Sequence, residues 1–102
     1  RHDLSSLRSL MSCGSPLQPH LKRRMVEAFR CEVVELYGLT EGIITTLDPE
    51  DLDAKLASVG KPIVGTDLLI LGDDDRPAPP GEAGEILGLS RFVMHGYLNR
   101  PE

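Results

Sequence analysis

The residues best equipped for chemistry stand together at positions 37–42, which read Tyr-Gly-Leu-Thr-Glu-Gly. The Tyr37 ring can stack on a nucleobase, the Thr40 hydroxyl can donate to a phosphate oxygen, and the Glu41 carboxylate can hold Mg²⁺ beside that phosphate. These are the parts of a nucleotide site. The same residues also suit a plain turn at the end of a strand, so both interpretations stay open on the residues alone.

The segments that must position this motif predict a strand, a helix and a second strand. Residues 7–12 form a strand-like run that ends in a Cys-Gly-Ser-Pro loop at 13–16, and residues 33–37 form a β-branched strand that stops at Gly38. Between them, apolar residues recur at helical spacing from 21 to 29, after a proline suited to a first turn. Such a unit favours a parallel strand pair with functional loops at the carboxyl ends.

Charged residues around these elements are interpreted as solvated. The helix carries Lys22, Arg23 and Arg24 in succession, and consecutive helical positions point in different directions, so we expect an exposed basic face and not an anion site. The acids between 48 and 53 surround a proline and predict an exposed loop or a helical turn. Residues 73–75, three consecutive aspartates, are typical of a hairpin turn.

The second half of the chain is predicted to be all β. Short apolar runs at 63–64, 67–71, 85–89 and 92–94 are separated by glycine and proline, as in a set of short strands. The sequence thus changes from a mixed α/β pattern to a β pattern near residue 59.

Composition excludes several classes of protein. Of the 102 residues, 40% are apolar and 26% are charged, which disfavours a disordered tail. The net charge of −5 disfavours a nucleic-acid partner, and no apolar stretch is long enough to predict a transmembrane segment. Cys13 and Cys31 have no neighbouring thiol, which favours reduced cysteines and a cytoplasmic location.

Five ordered blocks resemble the signatures of the adenylate-forming superfamily, which includes acyl-CoA synthetases, luciferases and the adenylation domains of peptide synthetases. The blocks lie at 12–17, 37–41, 58–62, 81–86 and 93–102. Cys13 and Ser15 stand where the family usually has Gly and Ala, and residues 87–92 depart from the family's usual Arg-Gly-Pro run.

The resemblance implies the fold class and the reaction. Residues 1–58 would be the edge of a nucleotide-binding α/β subdomain, and residues 59–102 would supply short antiparallel strands of a β-barrel subdomain. In the family's reaction, a carboxylic acid attacks the α-phosphate of ATP, pyrophosphate leaves, and a thiol captures the acyl-adenylate. The chain lacks the family's phosphate loop, its ribose-binding Asp and its C-terminal Lys, so we expect a fragment that is inactive alone.

The resemblance also implies roles for individual residues. Thr40 and Glu41 would be the catalytic pair, with Thr40 on the α-phosphate and Glu41 as the Mg²⁺ ligand. The residues that would bind the adenine nucleotide are Gly14, Ser15, Pro16, Tyr37, Gly38 and Thr40. Small and aliphatic residues that would line part of the acyl pocket are Gly38, Gly42, Ile43 and Ile44.

The implied cofactors and partners are ATP or AMP, Mg²⁺, CoA and a carboxylic acid, either fatty or aryl. The block at 81–86 and the Asn-Arg-Pro-Glu ending resemble acyl-CoA ligases more than carrier-protein adenylation domains. Two alternatives stay open: loading of a carrier-protein thiol, and a non-catalytic nucleotide-binding or scaffold module. Exposed apolar faces and strand edges also predict that a fragment of this kind associates with itself.

Overall fold

The computed structural model describes residues 2–100 and contains the predicted strand–helix–strand unit. Strands β1 (Ser9–Ser12) and β2 (Glu32–Gly38) are parallel, with Ser9 opposite Glu32 and Ser12 opposite Glu35. Helix α1 (Pro19–Phe29) connects them. The predicted parallel pair is therefore confirmed. Pro101 and Glu102, which end the last family block, lie outside the described residues.

Helix α1 begins and ends where its sequence predicts. Pro19 occupies the first turn, where its missing N–H would have had no helical partner. At the other end Arg30 adopts a left-handed conformation with φ of 51°, and its backbone N–H donates to the Val26 carbonyl. This cap stops the helix directly before β2.

The first sheet has four strands in the order β1-β2-β3-β4. Strand β3 (Ile44–Leu47), which the sequence analysis did not predict, pairs antiparallel with β2, and β4 (Lys61–Pro62) lies beside it. A helical turn, α2 (Pro49–Leu52), follows β3, as one of the two interpretations of the acidic segment predicts. The buried apolar core among the described residues consists of Val33, Leu47 and Leu52.

The second sheet is an antiparallel pair, β5 (Thr66–Leu71) and β6 (Glu85–Ser90), which confirms two of the predicted strands. A turn follows β5, in which the Gly72 N–H donates to the Arg76 carbonyl at 2.8 Å. Two strands cannot close a barrel, so the described part of the predicted β-barrel subdomain is an open sheet.

Two further predicted strands are wrong. Residues 63–64 enter a turn in which the Thr66 N–H donates to the Ile63 carbonyl at 3.0 Å. Residues 92–94 follow another turn, because the Phe92 N–H donates to the Ser90 side-chain oxygen at 3.0 Å instead of to a neighbouring strand. Local hydrogen bonds outweigh the β propensity of these short apolar runs.

The chain divides into two compact units. The first comprises the residues up to Gly38 together with Ile44–Lys61, and the second comprises Leu39–Ile43 together with the residues from Pro62 onward. The five-residue turn between β2 and β3 therefore belongs to the second unit. The assignment of residues 1–58 and 59–102 to two family subdomains stays a prediction.

Candidate functional site

The predicted adenine-binding residues of the first unit lie along one edge of the first sheet. Because β1 and β2 are parallel, their carboxyl ends lie at the same edge. The loop at 13–18 leaves β1 there and carries Gly14, Ser15 and Pro16, all exposed, while β2 ends there with half-buried Tyr37 and exposed Gly38. Ligands of open α/β sheets bind at the carboxyl ends of the strands, so this edge is suited to a ligand.

A buried carboxylate fixes the end of that loop. Glu35, on β2, is only 4% exposed, and its Oε1 accepts a hydrogen bond of 2.9 Å from the Leu17 backbone N–H. The loop residue that follows Pro16 is therefore attached to the strand that carries Tyr37.

The partner of Glu35 corrects the prediction of an exposed basic face. Lys22 is 2% exposed, forms an ion pair with Glu35, and donates from Nζ to the carbonyls of Leu56 at 2.7 Å and Ser58 at 3.2 Å. A buried ammonium needs such partners, because leaving it without them would carry a large desolvation penalty. Arg23 and Arg24 are exposed, as predicted.

The turn at Leu39–Ile43 carries Thr40 and Glu41, both exposed. Two backbone hydrogen bonds close it: the Leu39 N–H donates to the Ile43 carbonyl at 2.9 Å, and the Gly42 N–H donates to the Leu39 carbonyl at 3.0 Å. Gly42 is buried with φ of 115°, and a Cβ atom there would lie 2.5 Å from the Phe92 carbonyl oxygen. Only glycine fits this backbone and this close approach.

The side chain of Glu41 has a partner that sequence reasoning missed. The Tyr97 hydroxyl donates to Glu41 Oε1 at 2.5 Å, and the Met94 N–H donates to the Glu41 carbonyl at 3.2 Å. The hydrogen bond from Tyr97 is the main cause that lowers the pKa of Glu41 from its usual value, and a hydrogen bond from the Glu41 backbone adds to it. The same contact raises the pKa of Tyr97 from its usual value. The only sequence signal was that both residues lie in family blocks.

The four residues predicted for the acyl pocket lie in different environments. Gly38 and Ile44 face each other in the β2–β3 ladder. Ile43 fills the space above Gly88 of β6, where a Cβ atom would lie 2.4 Å from the Ile43 side chain, and Gly42 is buried against the backbone at Phe92. The acyl pocket itself stays a prediction.

A groove of about 890 Å³ in the first unit contains none of the predicted site residues. It lies at the amino end of β2, beside Glu32 and Val33, and is bordered by α1 and α2. The candidate nucleotide edge is at the other end of the same strand.

A family model described as AMP-binding enzyme matches residues 1–98. The chain belongs to the AMP-binding enzyme family. It is 39% identical to feruloyl-CoA synthase from Amycolatopsis and 37% identical to a long-chain-fatty-acid–CoA ligase from Salmonella typhimurium, in each case over 98% of the chain. These matches cover 21% and 18% of the two relatives, so the chain spans about a fifth of their length.

Solved structures of AMP-binding enzymes share the fold. The o-succinylbenzoate CoA synthetase from Bacillus subtilis, solved in complex with ATP and a magnesium ion, superposes with a TM-score of 0.78 at 32% identity. The match covers 95% of this chain and 23% of that one. Within residues 2–100, no helix is long and apolar enough to cross a membrane.

Glu41 is chemically suited to Mg²⁺, but as a single ligand. Among residues 2–100 no cluster of three or more His, Cys, Asp or Glu side chains is arranged to hold a metal. Mg²⁺ in nucleotide enzymes is commonly held by one or two carboxylates together with substrate phosphates. One exposed carboxylate that accepts a hydrogen bond from a phenol fits that arrangement.

Proposed function

We propose that this chain supplies part of the nucleotide site of an ATP-dependent acid–CoA ligase. The observation that carries the proposal is the parallel β1–β2 pair, whose carboxyl ends bear the predicted adenine-binding residues, Gly14–Ser15–Pro16 and Tyr37–Gly38. The AMP-binding family model matches this chain over residues 1–98. Relatives named as CoA synthases and CoA ligases support the choice of reaction.

The first unit would bind the adenine. Gly14, Ser15 and Pro16 would contact one side of the base, and the Tyr37 ring would pack on its face. The hydrogen bond from Leu17 to Glu35 supports this role, because it holds the loop end and β2 together before the nucleotide arrives, and the ion pair with Lys22 holds α1 to the same carboxylate. Preorganisation of this kind lowers the entropy lost on binding.

The turn in the second unit would serve the phosphates. Thr40 would donate its hydroxyl to the α-phosphate, and Glu41 would hold Mg²⁺. Bound there, Mg²⁺ would screen the phosphate charge that otherwise repels an anionic acid. The acid's carboxylate oxygen forms the new bond to the α-phosphorus, and the bond to pyrophosphate breaks. Positioning and charge neutralisation supply the rate enhancement.

The acid is proposed to be fatty or aryl, and Gly38, Gly42, Ile43 and Ile44 are proposed to contribute to its pocket. CoA is the proposed thiol acceptor. We also propose that residues 1–102 alone do not turn over, because the relatives carry about four-fifths of their length outside the matched region. Free Cys13 and Cys31 support a reducing, cytoplasmic location.

Acid-dependent exchange of pyrophosphate into ATP tests the proposal in the full-length native polypeptide. Long-chain fatty acids and hydroxycinnamic acids are the first substrates to compare. Thr40→Ala and Glu41→Gln should each lower exchange by about 100-fold, the scale of losing one transition-state contact. Glu82→Gln, a neutralisation of another exposed carboxylate, is the matched control and should leave exchange unchanged.

Near-normal exchange in both Thr40→Ala and Glu41→Gln would refute the assignment of these residues. Absence of exchange with every acid, together with measurable ATP binding, would favour the non-catalytic alternative. Product analysis with CoA or a carrier protein then identifies the thiol acceptor.

A further inference from the structure

The block at 93–102 has no role in the proposed function so far, yet its first half, together with Phe92 directly before it, contacts the turn that carries Thr40 and Glu41. Three contacts join them: the hydrogen bond from Met94 to the Glu41 carbonyl, the hydrogen bond from Tyr97 to the Glu41 carboxylate, and the close approach of Gly42 to the Phe92 carbonyl. Two of the three fix the backbone of the turn. Of the three, only the Tyr97 hydroxyl contacts the Glu41 carboxylate.

The backbone at Tyr97 is held by a local turn, while Tyr97 as a residue is 56% exposed. Residues 97–100 form a turn in which the Arg100 N–H donates to the Tyr97 carbonyl at 3.1 Å and Asn99 has a φ of 59°. With the Tyr97 backbone held by this turn and the Glu41 backbone held by Met94, the 2.5 Å hydrogen bond joins side chains that extend from two fixed backbone segments. A contact of this kind restricts the rotamers of a carboxylate that is otherwise exposed.

We propose that Tyr97 is a positioning residue that orients the Glu41 carboxylate for the metal–nucleotide complex. This inference rests on the proposed function, since it takes Glu41 as the Mg²⁺ ligand. One oxygen of the carboxylate receives the phenol proton, and a carboxylate has enough lone pairs to accept that bond and still bind a cation. Partners that hydrogen-bond to a metal ligand commonly contribute to metal affinity through orientation alone.

The test measures binding rather than turnover. In the full-length polypeptide, the dissociation constant of ATP is determined by equilibrium dialysis in EDTA and then across a Mg²⁺ titration. Tyr97→Phe removes only the hydroxyl. It should leave ATP affinity in EDTA unchanged and raise the half-saturating Mg²⁺ concentration by about tenfold, within the range measured for outer-sphere partners of metal ligands.

Two further variants separate orientation from folding. Met94→Leu changes the neighbouring side chain but keeps the backbone hydrogen bond to Glu41, so its Mg²⁺ dependence should match the wild type. Replacement of Tyr97 by 4-aminophenylalanine keeps the length of the ring and supplies an N–H donor in place of the O–H, so it should return half-saturation to within about threefold of the wild type. If Tyr97 only stabilised the fold, a new hydrogen-bond donor at this position would not restore the half-saturating Mg²⁺ concentration while the ATP affinity in EDTA stays unchanged.

Glu41→Gln separates the assignment of Glu41 as the Mg²⁺ ligand from the positioning role of Tyr97. If Glu41→Gln loses the Mg²⁺ dependence and Tyr97→Phe keeps it, the positioning role is wrong while the metal assignment stands. If neither variant changes the Mg²⁺ dependence, Glu41 is not the ligand, and the positioning role falls with that assignment. Loss of ATP affinity in EDTA by Tyr97→Phe would also overturn the inference, because it would place Tyr97 on the nucleotide itself.

Discussion

Breaking the buried Lys22–Glu35 pair should destabilise the first unit more than any exposed substitution on the same helix. In Lys22→Met, the Glu35 charge stays buried with the Leu17 N–H as its remaining hydrogen-bond donor, and the Leu56 and Ser58 carbonyls each lose a donor. Removing one partner of a buried ion pair costs about 3–5 kcal/mol. We take about 3 kcal/mol, because the ammonium is replaced by a side chain of similar length.

Native-state hydrogen exchange in the full-length polypeptide measures this locally. A loss of about 3 kcal/mol corresponds to exchange about 100-fold faster, and it should appear in amides of β2 and α1. Arg23→Met is the matched control, because Arg23 is the next residue on α1 and is exposed. Its effect should stay below about 0.5 kcal/mol.

A double-mutant cycle with Glu35→Gln completes the test. Glu35→Gln keeps an oxygen for the Leu17 N–H but leaves the Lys22 ammonium without its counter-charge. The double variant should cost less than the two single changes added together, by about 1–3 kcal/mol, because neither charge then remains unpaired. Additive costs, or a Lys22→Met variant that exchanges like Arg23→Met, would refute this account of the pair.

Three other predictions follow from single features. Gly60→Ala should destabilise the first unit by about 3 kcal/mol, because the Gly60 φ is 85° and the new Cβ would lie 1.7 Å from the Thr46 carbonyl oxygen. Unchanged hydrogen exchange of the β3 amides would contradict this. Asp51 raises the pKa of Lys61 above 10.5 through its hydrogen bond and its charge. The contribution of this pair to stability should therefore be present below pH 10.5 and disappear as the pH rises through the raised pKa. Side-chain NMR should show a lower Lys61 pKa in Asp51→Asn. The polypeptide 1–102 should self-associate at micromolar concentration, because side chains such as Val64 are 97% exposed, and a clean monomer in sedimentation would disprove it.

The elements that the sequence predicted are those whose signals are local. Pro19 and the apolar spacing of α1 define a helix, and the β-branched run at 33–37 defines a strand, without reference to distant residues. Strand β3 was missed because it has only four residues, although Ile44, Thr45 and Thr46 are β-branched and favour strands. Its Thr45 hydroxyl is satisfied by the Val59 carbonyl 14 residues away.

The features that the sequence could not predict depend on long-range partners. Lys22 looks like one member of a basic face until Glu35 and the carbonyls at 56 and 58 are brought beside it. Likewise, no periodicity connects Glu41 with Tyr97, which lie 56 residues apart. The family blocks indicated which segments mattered, and only the fold shows how two of those segments meet.

The 56-residue separation between Glu41 and Tyr97 has a consequence for how the protein is made. Strands β2 and β3 can pair as a hairpin while the chain is still emerging, but the turn between them can complete its contacts only after residue 97 is synthesised. At translation rates of about 5–20 residues per second, that delay is roughly 3–11 seconds. The proposed metal ligand would thus reach its final orientation during the last stage of assembly of these residues, and a nascent chain halted before Tyr97 would have a folded β2–β3 hairpin without an oriented carboxylate.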